Sequence, residues 1–288
     1  MSDLERMGKN KKEIQMNTLR NKTILITGSS RGIGEAMALR FAQEGANIII
    51  TGKTAEKHAS LPGTIYSVAD AVEKAGGKAL PLVLDVRDEN QIESVVQEAV
   101  KHFGGLDILV NNASAISLTN TEQTTMKKFD LMMSVNARAT FATSRACIPH
   151  LMKSKNPHIL TMSPPLDMKA KWFKNHLAYT YSKYGMSVCT LGMSEEFRKA
   201  GIAVNSLWPK TTIATAAIKV NFPPELFAAS RKPEIVANAA HWILTQNSRE
   251  VTGNFFIDEE VLSKMGETDF TRYNMMPGVA PMVDLFLD

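Results

Sequence analysis

The sequence predicts an α/β protein, a doubly wound seven-stranded parallel sheet with helices on both faces, and three observations lead there. Seven short apolar runs recur without the polar alternation of half-exposed strands, as strands buried on both faces require. Amphipathic helical stretches separate them, so strand and helix alternate along most of the chain. The first apolar run also passes straight into a glycine-rich turn that opens a helix. The 288 residues, 44% hydrophobic and 22% charged, suffice for one sizeable core. No internal repeat or low-complexity linker divides them. One domain over residues 21–288 is expected, after a flexible extension over residues 1–20.

The expected strands are Thr23–Thr27, Asn47–Thr51, Ala79–Leu84, Ile108–Val110, His158–Met162, Ala203–Leu207 and Asn254–Ile257. Between the first two, Ile33–Glu44 reads as a helix, because Ile33, Met37 and Phe41 fall on one face. Two stretches break the rhythm. Residues 210–232 carry Pro223 and Pro224 and are expected to form an irregular flap. Residues 259–288 carry scattered Met275, Met276, Leu285 and Phe286, too apolar for a free tail and too dispersed to fold alone. They are expected to pack across a subunit contact or over the mouth of a site.

Composition excludes several function classes. The formal charge is +4, and the basic residues near the start (Arg6, Lys9, Lys11, Lys12, Arg20, Lys22) are diluted by Asp3, Glu5 and Glu13. That is a solvated tail rather than a nucleic-acid arm, which would be a block of like charge. Cys147 and Cys189 form no CxxC and have no histidine cluster nearby, so they read as core residues and no metal site is expected. No apolar run approaches the roughly 18 residues a membrane span needs, and no signal peptide opens the chain. A soluble intracellular protein is expected, with the cytoplasm favoured.

Thr27-Gly28-Ser29-Ser30-Arg31-Gly32-Ile33-Gly34 joins the first strand to the first helix. Glycines there let the backbone turn tightly and approach a pyrophosphate, whose charge the helix N-terminus favours. A sheet opening this way is Rossmann-like. At the end of the second strand an NAD site needs an acidic residue for the ribose hydroxyl. This chain has Thr51-Gly52-Lys53-Thr54 instead. Lys53, with Arg31, offers positive charge for a 2′-phosphate, and NADP(H) is the expected cofactor. Asp85 and Asn112 follow the third and fourth strands, where ligands bind in open α/β sheets. Asp85 suits the adenine amino group and Asn112 the loop against the adenosine. Either side chain would equally cap a following turn.

Tyr179 and Lys183 stand four apart in Ala178-Tyr179-Thr180-Tyr181-Ser182-Lys183, one turn apart on a helix face. A phenol with a pKa near 10 needs a neighbouring cation to exchange a proton at physiological pH.

Taken in order, TGSSRGIG, NNAS, the Asn136 of Ser-Val-Asn-Ala, YxxxK and Asn205-Ser206-Leu207-Trp208-Pro209 resemble the short-chain dehydrogenase/reductase family over about residues 20–258. The resemblance implies that Gly28 to Gly34 bind pyrophosphate and that Tyr179 donates or accepts the proton. It assigns Lys183 to the cofactor ribose and to tyrosine activation, and Asn136 to a proton-relay water. Within the family the chain is similar to the hydroxysteroid dehydrogenase-like group, through Gly77–Pro81, Asn112–Asn120, Ser163-Pro164-Pro165, Lys171–Lys174 and Trp208–Thr211. Members of that group carry a sterol-carrier domain after the reductase unit. The 288 residues resemble the reductase unit alone, and Asp284–Asp288 resembles the segment before the linker. The resemblance also implies homo-oligomers and leaves a peroxisomal or mitochondrial location open.

Three departures from the family pattern stand out. Most members place a catalytic serine about thirteen residues before the tyrosine. Here Ser163 lies sixteen before Tyr179, and Pro164 occupies the place of the second serine of a pair. Ser163 is still expected to serve as the oxyanion donor, unless it merely ends its strand. The usual Pro-Gly after the sixth strand is Pro209-Lys210, and Trp172 and Phe173 add aromatics before the tyrosine helix. The expected activity is NADP(H)-dependent interconversion of a carbonyl and a secondary alcohol on a hydrophobic, lipid- or sterol-like substrate. The alternative is an NADP(H)-binding sensor or scaffold with little turnover.

Overall fold

The computed structural model describes residues 18–53, 55–56 and 63–288. The basic stretch read as a solvated tail lies outside them as far as residue 17, as does Thr54. Seven strands form, each within one residue of the expected bounds. They are β1 (Thr23–Ile26), β2 (Asn47–Gly52), β3 (Lys78–Val83), β4 (Ile108–Asn111), β5 (His158–Met162), β6 (Ala203–Trp208) and β7 (Phe255–Ile257). All pair in parallel in the order β3-β2-β1-β4-β5-β6-β7. The order reverses between β1 and β4, so a crevice opens beyond their C-terminal ends.

Ten α-helices wrap the sheet among the described residues: α1 (Gly32–Ala42), α2 (Ile65–Lys74), α3 (Glu89–Phe103), α4 (Met126–Met132), α5 (Ala139–Leu151), α6 (Leu177–Glu196), α7 (Ala216–Asn221), α8 (Pro224–Ala228), α9 (Glu234–Leu244) and α10 (Asp258–Lys264). Successive strand residues point to opposite faces. Ile24, Ile26, Ile48 and Ile50 therefore meet Met37 and Phe41 of α1, Val68 of α2 and Ile243 of α9. Leu25, Ile49 and Leu109 meet Ile92 of α3, Cys147 of α5 and Met193 of α6 on the other face. Burying each such side chain contributes about 1.5–3 kcal/mol, so this two-sided core fixes the register on which the site depends. Leu19, which the sequence left in the extension, joins the first of these cores.

Two local features position the site. The chain between α4 and α5, Met133–Arg138, is π-helical. It lies so close to α6 that a Cβ on Gly185 would come 2.6 Å from Ala137 Cβ. Residues 210–232 are more regular than expected. Thr215 caps α7 through the Ile218 amide, and Pro224 begins α8, where a missing N–H costs nothing. No helix among the described residues is long and apolar enough to cross a membrane.

Candidate active site

The crevice holds two adjoining cavities. A cleft of about 470 Å³ is lined by Gly28, Ser30, Arg31, Gly32, Lys53 and Asp85, among others. A second cavity of about 290 Å³ holds Tyr179, Lys183 and Asp284. Ile33, Asn112, Ser114, Thr215 and Ala217 line both, so the two communicate.

The turn between β1 and α1 needs its glycines for distinct reasons. Gly28 and Gly32 have φ of +66° and +61°, which other residues rarely adopt. A Cβ on Gly34 would meet Asn112 Nδ2 at 2.6 Å and the Gly28 carbonyl at 2.7 Å. Asn112 braces the turn by donating to the Thr27 and Gly28 carbonyls at 2.9 and 3.0 Å. The Asn112 and Ala113 amides both donate to Thr27 Oγ1 at 3.0 Å. Asn112 thus holds the loop after β4 against the glycine turn, and Thr27 shares in that brace. Ser29 and Gly34, expected to touch the cofactor, do not line the cleft. Ser29 Oγ turns inward to the Ile26 carbonyl and the Thr51 amide, so it knits β1 to β2.

At the far end of the cleft, Asp85 accepts a fork from Arg87 and lies 3.9 Å from Lys53. The Arg87 bonds hold its carboxyl down at about 2, so it is ionised and largely engaged. The Lys53 side chain is 62% exposed at the mouth. Arg31 donates to the Gly63 carbonyl at 3.2 Å. Burial lowers its pKa and the neighbouring Glu35 raises it. A glycine-walled cleft with cations at one end and no carboxylate at the end of β2 fits a dinucleotide.

In the second cavity, Tyr179 and Lys183 come from consecutive turns of α6. Lys183 Nζ donates to the Met162 carbonyl at 2.6 Å and lies 5.0 Å from the Trp208 ring centre. Burial brings its pKa down to about 7. Burial, and then the charge of Asp284, push the Tyr179 phenol above its ordinary value. Asn136 sits in the π-helical segment with its side chain fully used. It accepts from the Ala115 amide at 2.7 Å and donates to the Ala115 carbonyl and Ser182 Oγ, each at 2.9 Å. Its side chain therefore ties α6 to the β4 exit and has no donor left for a relay water.

Ser163 is not where the sequence reading placed it. Its hydroxyl is fully buried, 2.8 Å from Ser206 Oγ, which donates in turn to Thr190 Oγ1. That chain lies between β5, β6 and α6, and Ser163 does not line the cavity. The Ser163 hydroxyl therefore does not serve the cavity as the expected oxyanion donor. Trp172 and Phe173 also stand outside the cavity. Trp172 donates to Asp167 Oδ2, and Phe173 packs edge-on against Tyr184 at 5.4 Å.

The functional residue that the sequence did not point to is Asp284, in the chain's terminal segment. Val283 bridges Thr211, the Asp284 amide donates to the Lys210 carbonyl at 3.1 Å, and Trp208 Nε1 donates to the Leu285 carbonyl at 2.9 Å. Phe286 is 2% exposed and stacks on Tyr179 at 6.3 Å. The terminal segment thus covers the active cavity within its own chain, one of its two expected places. A lone Asp among apolar residues was the only signal for Asp284.

The short chain dehydrogenase model matches residues 22–223. The chain is 59% identical to hydroxysteroid dehydrogenase-like protein 2 of Danio rerio over 266 residues, 92% of this chain and 64% of that protein. It is 55% identical to the protein of that name from Homo sapiens, covering 92% and 63%. It therefore spans less than two thirds of the length of these relatives. Among solved structures, a short chain dehydrogenase of Mycobacterium thermoresistibile is 48% identical with a TM-score of 0.89, covering 94% of this chain and 96% of that one. A short chain dehydrogenase from Mycobacterium paratuberculosis, solved bound to NAD, is 26% identical with a TM-score of 0.70, covering 84% and 97%.

Proposed function

Because the chain belongs to the short-chain dehydrogenase/reductase family, we propose that it is an NADP(H)-dependent oxidoreductase interconverting a carbonyl and a secondary alcohol on a hydrophobic substrate. The observation that carries this is the joining of the two cavities: Tyr179 and Lys183 face a space that opens directly onto the glycine-turn cleft. When bound, the nicotinamide would supply or accept the hydride. The protein's part is to orient the reactants and move one proton. In reduction, Tyr179 gives its phenolic proton to the substrate oxygen. Lys183, when charged, stabilises the phenolate that remains, and an anionic cofactor in the adjoining cleft favours that charged form. Residues Gly28, Ser30, Arg31, Gly32 and Ile33 would cradle the pyrophosphate, with Ser29, Gly34 and Asn112 shaping the turn.

Lys53 and Arg31 support NADP over NAD, since both line the cleft without a carboxylate at the end of β2. The apolar wall built by Ile116, Leu118, Ile213, Ile218, Phe222 and Leu226 supports a lipid- or sterol-like substrate. Exposed Phe141 on α5 with Tyr181, Val188 and Leu191 on α6 supports self-association. Light scattering at the monomer mass would reject that part.

The seclusion of Ser163 favours a second reading, a cofactor-binding sensor with little turnover. Nicotinamide absorbance, followed with NADPH and NADH over long-chain aldehydes, ketones and sterols, separates the two. An enzyme consumes cofactor and prefers NADPH. Lys53→Asp combined with Arg31→Ala should cost NADPH roughly 10- to 150-fold in affinity, the scale of hydrogen bonds to charged groups. Binding without consumption on every substrate would reject the enzymatic reading.

A further inference from the structure

Once Ser163 is turned away and Pro164 has neither N–H nor hydroxyl, the cavity wall is short of a group to hold the substrate oxygen beside Tyr179. Most of its other polar side chains are committed. Asn112 braces the glycine turn, Lys183 donates to the Met162 carbonyl, and Thr212 Oγ1 pairs with Ser230 Oγ at 3.0 Å. Ser114 and Asp284 remain, together with Thr215, whose Oγ1 accepts the Ile218 amide at the start of α7.

We propose that Asp284 is a further catalytic residue: its carboxyl faces the substrate oxygen beside Tyr179 and donates the second hydrogen bond to it. The inference rests on the carbonyl–alcohol reading above. Three observations carry it. First, Asp284 lines the same cavity as Tyr179 and Lys183, and its charge acts on both. Second, it is held firmly. Its amide is tied to Lys210, its Oδ1 accepts the Leu285 amide at 2.7 Å, and Leu285 is tied to Trp208. One carboxyl oxygen is left for a ligand. Third, the anchor two residues on is held under strain: Phe286 has φ +72°, a conformation that a bulky residue rarely adopts. Buried contacts with Tyr179, Tyr184, Trp172 and Trp208 hold it there. Strain of that kind persists where the surroundings over-determine a conformation.

The chemistry is simple to balance. As hydride reaches the carbonyl carbon, negative charge develops on the oxygen, and Tyr179 transfers its proton there. The Asp284 O–H only hydrogen-bonds the oxygen and keeps its own proton, so no further reactant is consumed. A fixed donor aimed at developing charge in a dry site commonly contributes a factor of about 10²–10³ in rate. Asp284 must be protonated for this. Burial raises its pKa and the hydrogen bond from the Leu285 amide lowers it; the neighbouring Asp258, at the start of α10, adds to the rise and Lys183 opposes it, and the balance lies at about 7. The charged and titratable groups facing it are Lys183 and Tyr179 from α6 and Asp258 from α10.

The test uses the whole chain with NADPH and the best ketone or aldehyde from the panel above. Asp284→Ala should lower kcat/KM for reduction by 10²–10³-fold while NADPH affinity, read by fluorescence, stays within about threefold. Asp284→Asn keeps a donor and should retain activity within tenfold, but lose the part of the decline above pH 7 that belongs to Asp284. Without substrate, carboxyl ¹³C NMR of aspartate-labelled protein should show a carboxyl titrating near 7 that disappears in Asp284→Asn and persists in Asp258→Asn. Wild-type kcat/KM in Asp284→Ala overturns the proposal, as does an Asp284 resonance titrating below 5 or a larger loss in Ser114→Ala than in Asp284→Ala. If Asp284→Ala does not fold, the Asp284→Asn pH profile and the NMR titration decide. Absence of wild-type turnover on every substrate would sink the functional reading and this proposal with it; turnover indifferent to Asp284 sinks this proposal alone.

Discussion

Tyr179 is placed where its neutral form is favoured and the charged form of its partner is not. Burial raises the phenol, and burial lowers the Lys183 ammonium to about 7. The pair is therefore primed by what binds beside it, since a nearby anion favours the lysine cation and, through it, the phenolate. Tyr179→Phe removes only the hydroxyl. Turnover should fall by at least 10²-fold, the scale of a lost acid or base, with cofactor affinity unchanged by fluorescence titration. Unchanged turnover would move the proton transfer to another residue. Gly34 makes a different kind of demand. A methyl group there would strike Asn112 Nδ2 and the Gly28 carbonyl, both part of the brace that shapes the turn. Gly34→Ala should cost about 1–3 kcal/mol in denaturant unfolding and weaken cofactor binding at least tenfold. A fully stable variant with normal affinity would show that the turn can yield.

At the scale of elements, what could be read from the sequence depended on whether the signal was local. The strands announced themselves because both faces of each are buried, so their residues are apolar throughout; β5 forms at the residues expected, His158–Met162. The glycine turn was legible because φ and close approach demand particular residues at particular positions. Ser163 was misplaced because its orientation is decided by Ser206 and Thr190, more distant along the chain, which no spacing rule records. The terminal segment was legible only as apolar and in need of cover, since its partners are Trp208, Thr211 and Tyr179. That segment works as a strap. Phe286 is its wedge, touching rings from α6 and the end of β6. Removing a buried aromatic costs about 3–5 kcal/mol, and alanine, which keeps the Cβ that strains φ +72°, has no ring contacts to hold that conformation. Phe286→Ala should therefore free the strap without unfolding the sheet. Proteolysis should then cut the chain end faster, and kcat/KM should fall as Asp284 loses its anchor. A variant cut at the wild-type rate would mean that the other ties suffice.

For the molecule as a whole, His158 is the group expected to couple folding to acid. It begins β5, is 1% exposed, and lies at the opposite end of that strand from the site. Its Nε2 lies 3.2 Å from the Gln246 carbonyl and 3.1 Å from Asn156 Nδ2; the Asn156 amide already donates to that carbonyl, and the carbonyl accepts from the ring when Nε2 carries the proton. Nδ1 then holds a lone pair, and it is buried with no partner among the described residues. Protonating it would create a cation inside the fold with nothing to receive the new N–H. Burial accordingly drives the pKa down to about 4 from 6.5, with Lys22 adding to the effect and the Gln246 contact opposing it. A folded pKa below the unfolded one means the unfolded chain takes up the proton first. The stability tied to the neutral ring is present above pH 6.5 and is lost as pH falls toward 4. A difference of that size corresponds to about 3 kcal/mol. Asp258 and Asp284, each raised to about 7, act with the opposite sign over part of this range, so the whole-protein curve mixes these contributions with that of the histidine. Comparing wild type with His158→Gln isolates the histidine, because Asp258 and Asp284 titrate in both. The wild-type advantage in urea unfolding should shrink by about 3 kcal/mol between pH 7 and pH 4. A constant difference across that interval would show that the ring titrates alike in the folded and unfolded chain.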